Sequence, residues 1–156
     1  ACNKHTDTMD QSTCNIQQVY TDNAKKITIT QGAWGTVSSI EGNCMPTVPA
    51  CNSCCSNCPV QRTVRIYKYT LRSNASPNPN NTSFYDAFNS PLIAEVHTDN
   101  NGFFQANLPA GQYSIAIIEN GKLYCNSIDG DGGLGSFSVL TGTTNINVAM
   151  TYKATF

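Results

Sequence analysis

The residues best equipped for chemistry in this 156-residue chain are eight cysteines, two histidines and one close pair of aspartates. The cysteines are Cys2, Cys14, Cys44, Cys51, Cys54, Cys55, Cys58 and Cys125. An even number at this density suits four disulfides in an oxidising compartment. Eight cysteines allow 105 pairings, and spacing does not choose among them. Cys2 with Cys14 is one expected pair. The run Cys51-Asn-Ser-Cys54-Cys55-Ser-Asn-Cys58 has a second reading as two overlapping CxxC metal hooks. Zinc sites place such hooks a loop apart so that four thiolates converge, whereas these sulfurs lie within eight residues and no histidine is near. Disulfides are therefore the expected reading.

A hydrolase needs a nucleophile, a base and an orienting group. His5 sits in a polar N-terminal stretch, His97 lies beside a turn, and neither belongs to a GxSxG or HExxH pattern. No enzyme chemistry, cofactor or catalytic residue is assigned. Asp129-Gly-Asp131-Gly is the one acidic cluster and a weak calcium candidate. Calcium takes six to eight oxygens and no third acid follows, so a simple turn is preferred. Trp34, Tyr67, Tyr69, Phe84 and Tyr85 could form a sugar-stacking platform, although alternating aromatics are ordinary in strands. Carbohydrate could instead be attached. Asn74-Ala-Ser, Asn80-Asn-Thr and Asn81-Thr-Ser are N-linked acceptor patterns, and Asp7-Thr8-Met9 resembles an O-linked one with Thr8 as acceptor.

The elements that must position these residues read as β-structure. Charged residues make up only 12% of the chain, while 18 Asn, 17 Thr and 13 Ser are present. A net charge of −1 excludes a polybasic nucleic-acid binder. No apolar run reaches the length of a transmembrane helix. Ala1 and the absence of a leader fit a secretion signal already removed.

Residues 1–24 read as a polar arm with one short apolar alternation, Ile16 to Val19-Tyr20. Strands are expected at Ile27–Thr30, Thr36–Ser38, Thr63–Leu71, Leu92–Thr98, Phe103–Leu108, Tyr113–Ile118, Leu123–Cys125, Phe137–Val139 and Ile146–Tyr152. Residues 41–61 form a disulfide-rich loop, and Ser73 to Ser90 a long surface loop. No capped helix is expected. The fold class is all-β: a single Greek-key β-sandwich of about seven strands, spanning 25–156, behind the 1–24 arm.

The order of Gly35-Thr-Val37, Val64-Arg-Ile-Tyr67, Thr98-Asp-Asn-Asn-Gly-Phe103 and Leu108-Pro-Ala-Gly-Gln-Tyr113, closed by a Thr-rich strand, resembles the carboxypeptidase regulatory-like domains. More broadly it resembles transthyretin-like (prealbumin-like) β-sandwiches. The likeness spans roughly residues 27–152, and its two specific turns are structural motifs. It implies a seven-stranded sandwich in secreted or cell-surface proteins, serving as spacer, adhesive or assembly module. A related sandwich forms an internal Lys–Asn isopeptide bond. Here Lys25 or Lys26 and Asn145 or Asn147 could serve, but Gln105 occupies the position of the promoting acid.

The expected function is that of a non-enzymatic extracellular structural subunit, assembling with itself into a fibre by strand or arm exchange. The alternative is a secreted binding module for glycan or calcium. The expected partner is the chain itself, with glycans bound or attached as a further partner and no nucleic acid.

Overall fold

The computed structural model describes residues 14–156. Cys2, His5 and Thr8 lie outside the described residues, and so does any pairing of Cys2. The described chain is mostly β, with two sheets packed face to face.

The spine of the first sheet is β1 (Gly32–Asn43), one continuous strand of 12 residues where the sequence marked only Thr36–Ser38. Ala33 and Val37 point into the core, and Thr36 and Ser38 are buried on the opposite face. A strand buried on both sides can run this long only with partners on both edges. On one side β1 pairs antiparallel with β2 (Cys55–Pro59) and β7 (Phe103–Asn107). On the other it pairs parallel with β11 (Thr143–Asn145) and β12 (Val148–Thr155). The step between β11 and β12 passes so close to β1 that a Cβ on Gly35 would overlap the Ile146 carbonyl.

The second sheet runs β4 (Ala75–Asn78), β5 (Asn81–Phe88), β9 (Lys122–Tyr124), β8 (Gly111–Glu119), β3 (Thr63–Lys68), β6 (Leu92–His97). A further strand, β10 (Ser136–Val139), also pairs with β8. Ile115 and Ile117 of β8 face the inter-sheet core with Val64, Ile66, Phe104, Tyr124 and Met150. Ala116 faces the other way, into a second cluster with Tyr67, Tyr85, Phe88, Leu123, Cys125 and Leu134. Burial on both faces explains why β8 reads as an unbroken apolar run rather than an alternating one.

Both turns singled out in the sequence are built by their own side chains. Asp99 Oδ1 accepts hydrogen bonds from the backbone N–H of Asn101 (2.8 Å) and Phe103 (3.0 Å), and Gly102 takes φ 72°. The Tyr113 hydroxyl donates to the Pro109 carbonyl at 2.6 Å, latching the second turn onto β8.

Four segments differ from the sequence reading. Residues 41–61 are not all loop: they hold the end of β1 and the whole of β2. Residues 16–24 are not an extended arm but a helix, α1 (Ile16–Ala24), N-capped by the Asn15 side chain, which accepts from Gln18 N at 3.2 Å. Its inner face carries Val19 and Asn23, four residues apart, and Asn23 donates to Thr36 Oγ1 and to the Asn101 carbonyl, both at 2.9 Å. Residues 27–30 belong to no strand; Thr28 is held by both ends of the Gln105 amide. Ser73 to Ser90 is not a loop but a 3₁₀ turn and the β4–β5 hairpin, because Phe84, Tyr85 and Phe88 have apolar surface to bury.

Candidate functional site

Three places bring chemistry-bearing residues together: the loop between β1 and β2, the loop after β9, and the cleft beside β12. In the first, the β1–β2 hairpin carries a long tip closed by two nested disulfides. Cys44 bonds Cys55 across its base, and Cys51 bonds Cys54 inside it. A third bond, Cys14–Cys58, ties the start of α1 to β2. This map corrects two expectations. Cys14 pairs with Cys58 rather than Cys2, because α1 docks against β1 and β2 and brings the two Cα atoms to 5.3 Å. Cys125 is not in a disulfide; its thiol is buried in the outer aromatic cluster, with no second sulfur in that cluster. The sulfurs of the metal-hook reading are spent in disulfides, and no group of three or more ligating side chains fit for a metal occurs among the described residues.

The hairpin tip has an unusual surface. No charged residue occurs from Gly42 to Gln61. Val48 is fully exposed and Met45 is 47% exposed, beside exposed Pro46 and Pro49. The two disulfides hold this apolar tip away from the core, whose residues come from other segments.

In the loop after β9, the weak calcium candidates part company. Asp129 turns its carboxylate inward as a loop cap. It accepts from the backbone N–H of Asp131 (2.9 Å) and Gly133 (2.8 Å), and from the Tyr69 hydroxyl (2.9 Å). A hydrogen bond from Ser136, then that from Gly133, with Tyr69 adding, lowers its pKa to about 2. Gly133 lies against the Tyr69 ring, where any Cβ would collide. Asp131 is exposed. The carboxylate oxygens of Asp129 are thus committed to shaping the loop, as the turn reading expects.

Beside β12, a cleft of about 240 Å³ is lined by Ile115, Tyr124, Cys125, Ser127, Ile146 and Val148. Burial pushes the Cys125 thiol pKa up, which leaves it protonated and unreactive.

The other titratable groups form cross-strand pairs. Glu119, 5% exposed, receives Arg62 Nε at 2.5 Å and the Tyr152 hydroxyl at 2.5 Å. Burial by itself would raise its pKa, but these two donors bring it below the usual carboxylate value. The trio links β8 of one sheet to β12 of the other. Lys26 pairs with Asp99 at 2.9 Å, and Asn147 accepts from Thr36 N at 3.0 Å, so these two isopeptide candidates are engaged elsewhere. His97 is exposed and shares a hydrogen bond with Thr63.

The aromatic platform is not assembled. Phe84 lies in the inter-sheet core, Tyr67 and Tyr85 in the outer cluster, and Tyr69 on Asp129, while Trp34 is on the other sheet. The acceptor asparagines are all exposed: Asn74 ends the 3₁₀ turn, and Asn80 and Asn81 lie at the β4–β5 turn. The disulfide-held apolar tip was visible in sequence only as a cysteine-rich loop.

No family model, curated protein or solved structure matches the chain.

Proposed function

We propose that this chain is a non-enzymatic extracellular structural subunit, related to the carboxypeptidase regulatory-like sandwiches, that associates with copies of itself through the disulfide-held tip of the β1–β2 hairpin. The observation that carries this is the tip itself: an uncharged, apolar surface at Met45 and Val48, fixed outside the core by two disulfides. Three disulfides fit an oxidising exterior, and no helix among the described residues is long and apolar enough to cross a membrane. The titratable groups pair across strands, which serves rigidity.

Strand exchange is the less favoured route to assembly. Residues 16–20 are helical and tied to β2 through Cys14. Three of the outer strands are also interrupted. β4 holds Pro77 at a register shift, β6 shifts register against β3, and β12 shifts against β1. Bulges and prolines of this kind discourage strand addition. Burying Met45 and Val48 would contribute about 3–6 kcal/mol before association costs, so the contact must extend over the flanking prolines and repeat along an assembly.

Light scattering after size exclusion, across a concentration series, tests this. The wild type gives a mass that rises with concentration, and Val48→Asp gives monomer at an unchanged melting temperature. A wild type that stays monomeric overturns self-association. An assembling Val48→Asp variant overturns the tip as its contact.

The binding-module alternative keeps its glycan form, for which half-buried Trp34 is the remaining aromatic anchor. A glycan panel read by calorimetry on wild type and Trp34→Ala decides it: flat titrations remove that reading.

A further inference from the structure

We infer that the Cys51–Cys54 bridge is a thiol-exchange site, opened and re-formed by external thiols while the rest of the fold stays closed. The three disulfides differ in access and in how their ends are held. Cys58 is completely buried in β2, which shields its sulfur, and Cys14 is half-buried. Cys55 is exposed, but it lies in β2 opposite Gly42, and the Cys44 N–H is bonded to the Thr155 carbonyl, so the sheet holds both ends of the Cys44–Cys55 bond. Cys51 is exposed, neither Cys51 nor Cys54 lies in a strand, and the two close a ring only three residues apart. Exchange requires in-line approach of a thiolate to one sulfur and departure of the other, so an accessible bond with both ends in a loop reacts first. Charge does not oppose attack in this loop: small biological thiols are anionic when reactive, and no carboxylate lies in the sequence between Gly42 and Gln61. Opening this bond also leaves the tip attached, because Cys44–Cys55 still closes its base.

The reaction balances with a thiol as reductant. An external thiolate attacks Cys51 Sγ; the S–S bond to Cys54 breaks, and Cys54 leaves as a thiolate that takes a proton from water. The result is a mixed disulfide on Cys51. A second external thiol, or the second thiol of a dithiol, attacks the outer sulfur of that mixed disulfide and releases Cys51. Two electrons and two protons have then passed to the Cys51/Cys54 pair, and the external thiols have become a disulfide. Glutathione and dithiol proteins of the thioredoxin class share this chemistry. The buried, protonated Cys125 takes no part.

The test uses the oxidised full chain, titrated with reduced glutathione in one arm and dithiothreitol in the other. Both are quenched with N-ethylmaleimide and mapped by peptide mass spectrometry. At partial reduction, modification at Cys51 and Cys54 exceeds that at Cys44, Cys55, Cys14 and Cys58 at least tenfold. The glutathione arm shows the adduct on Cys51, the dithiol arm two maleimide-labelled thiols, and far-ultraviolet dichroism is unchanged in both. An adduct in the first arm alone assigns the site to small thiols; labelling in the second alone assigns it to dithiols. A Cys51→Ser/Cys54→Ser variant loses the fast phase. Equal or earlier opening of either other bond, or loss of the dichroism signal together with Cys51 labelling, overturns the assignment.

Discussion

Removing the Cys14–Cys58 bond, as Cys14→Ser with Cys58→Ala, should destabilise the fold far more than removing Cys51–Cys54 by double serine substitution. The cross-links span 44 and three residues. Loop-closure entropy in the unfolded chain puts their contributions at about 4 and about 2 kcal/mol. The bonds are nested, so an intact Cys44–Cys55 already shortens the unfolded path between Cys14 and Cys58. With a span of 11 for that inner bond, the correction is only about 0.2 kcal/mol. Two structural effects widen the gap. Cys58 is completely buried and its sulfur packs, whereas Cys51 is exposed. The bond also anchors α1, a nine-residue helix too short to persist undocked. In urea, with m of about 2 kcal/mol/M, the Cys14/Cys58 variant should lose about 2 M in midpoint and the Cys51/Cys54 variant about 1 M or less. Urea unfolding followed by dichroism, with the other disulfides verified intact, reads this directly. Equal losses within about 0.5 kcal/mol would refute the reasoning, because the tip disulfide would then be holding native contacts that the structure does not show.

Other expectations follow from the same coordinates. Asn23→Ala removes both hydrogen bonds from α1 to β1 and to the 99–102 turn, and should cost about 1–3 kcal/mol in chemical denaturation. Asp86, Asp99, Glu119 and Asp129 all have pKa values lowered in the fold, Asp129 to about 2. Their stabilisation is therefore complete above the unfolded carboxylate values near 4 and is lost as pH falls through the folded ones. A melting temperature flat from pH 5 to 7 and falling below pH 4 is expected, and one that rises on acidification contradicts it. Asp129→Ala should lower the melting temperature while Asp131→Asn leaves it unchanged, and calcium should shift neither protein. A thiol titration with an aromatic disulfide reagent should find Cys125 silent in native protein and reactive in denaturant.

The parts of the fold legible in the sequence were those decided locally. The Asp99 and Tyr113 turns are made by side chains that bond their own backbone a few residues away, so their residue types announce them. β8 was legible because an apolar run between two turn signals has one economical place, the middle of a sheet. The misses were decided by tertiary packing. α1 buries only Val19 and, near its C-terminal end, the polar Asn23, so no apolar stripe marks it; Asn15 before Ile16 was the available capping signal. In the β4–β5 hairpin the Asn and Pro content masked Phe84, Tyr85 and Phe88, whose burial is what folds it. The disulfide map depends on β1 register, which places Cys55 opposite Gly42 and Cys58 opposite Ser39, and no spacing rule encodes that. The Asp129 loop is again local: its Asp and Gly content reads as a turn, and Asp129 Oδ1 accepts from the loop's own N–H groups.

Self-association through the tip is measured most directly by negative-stain electron microscopy of native, unheated protein beside the Val48→Asp variant. Regular assemblies with a repeat near one domain length are expected in the wild type, and dispersed single particles in the variant. Dispersed particles in both, at every concentration, would contradict it.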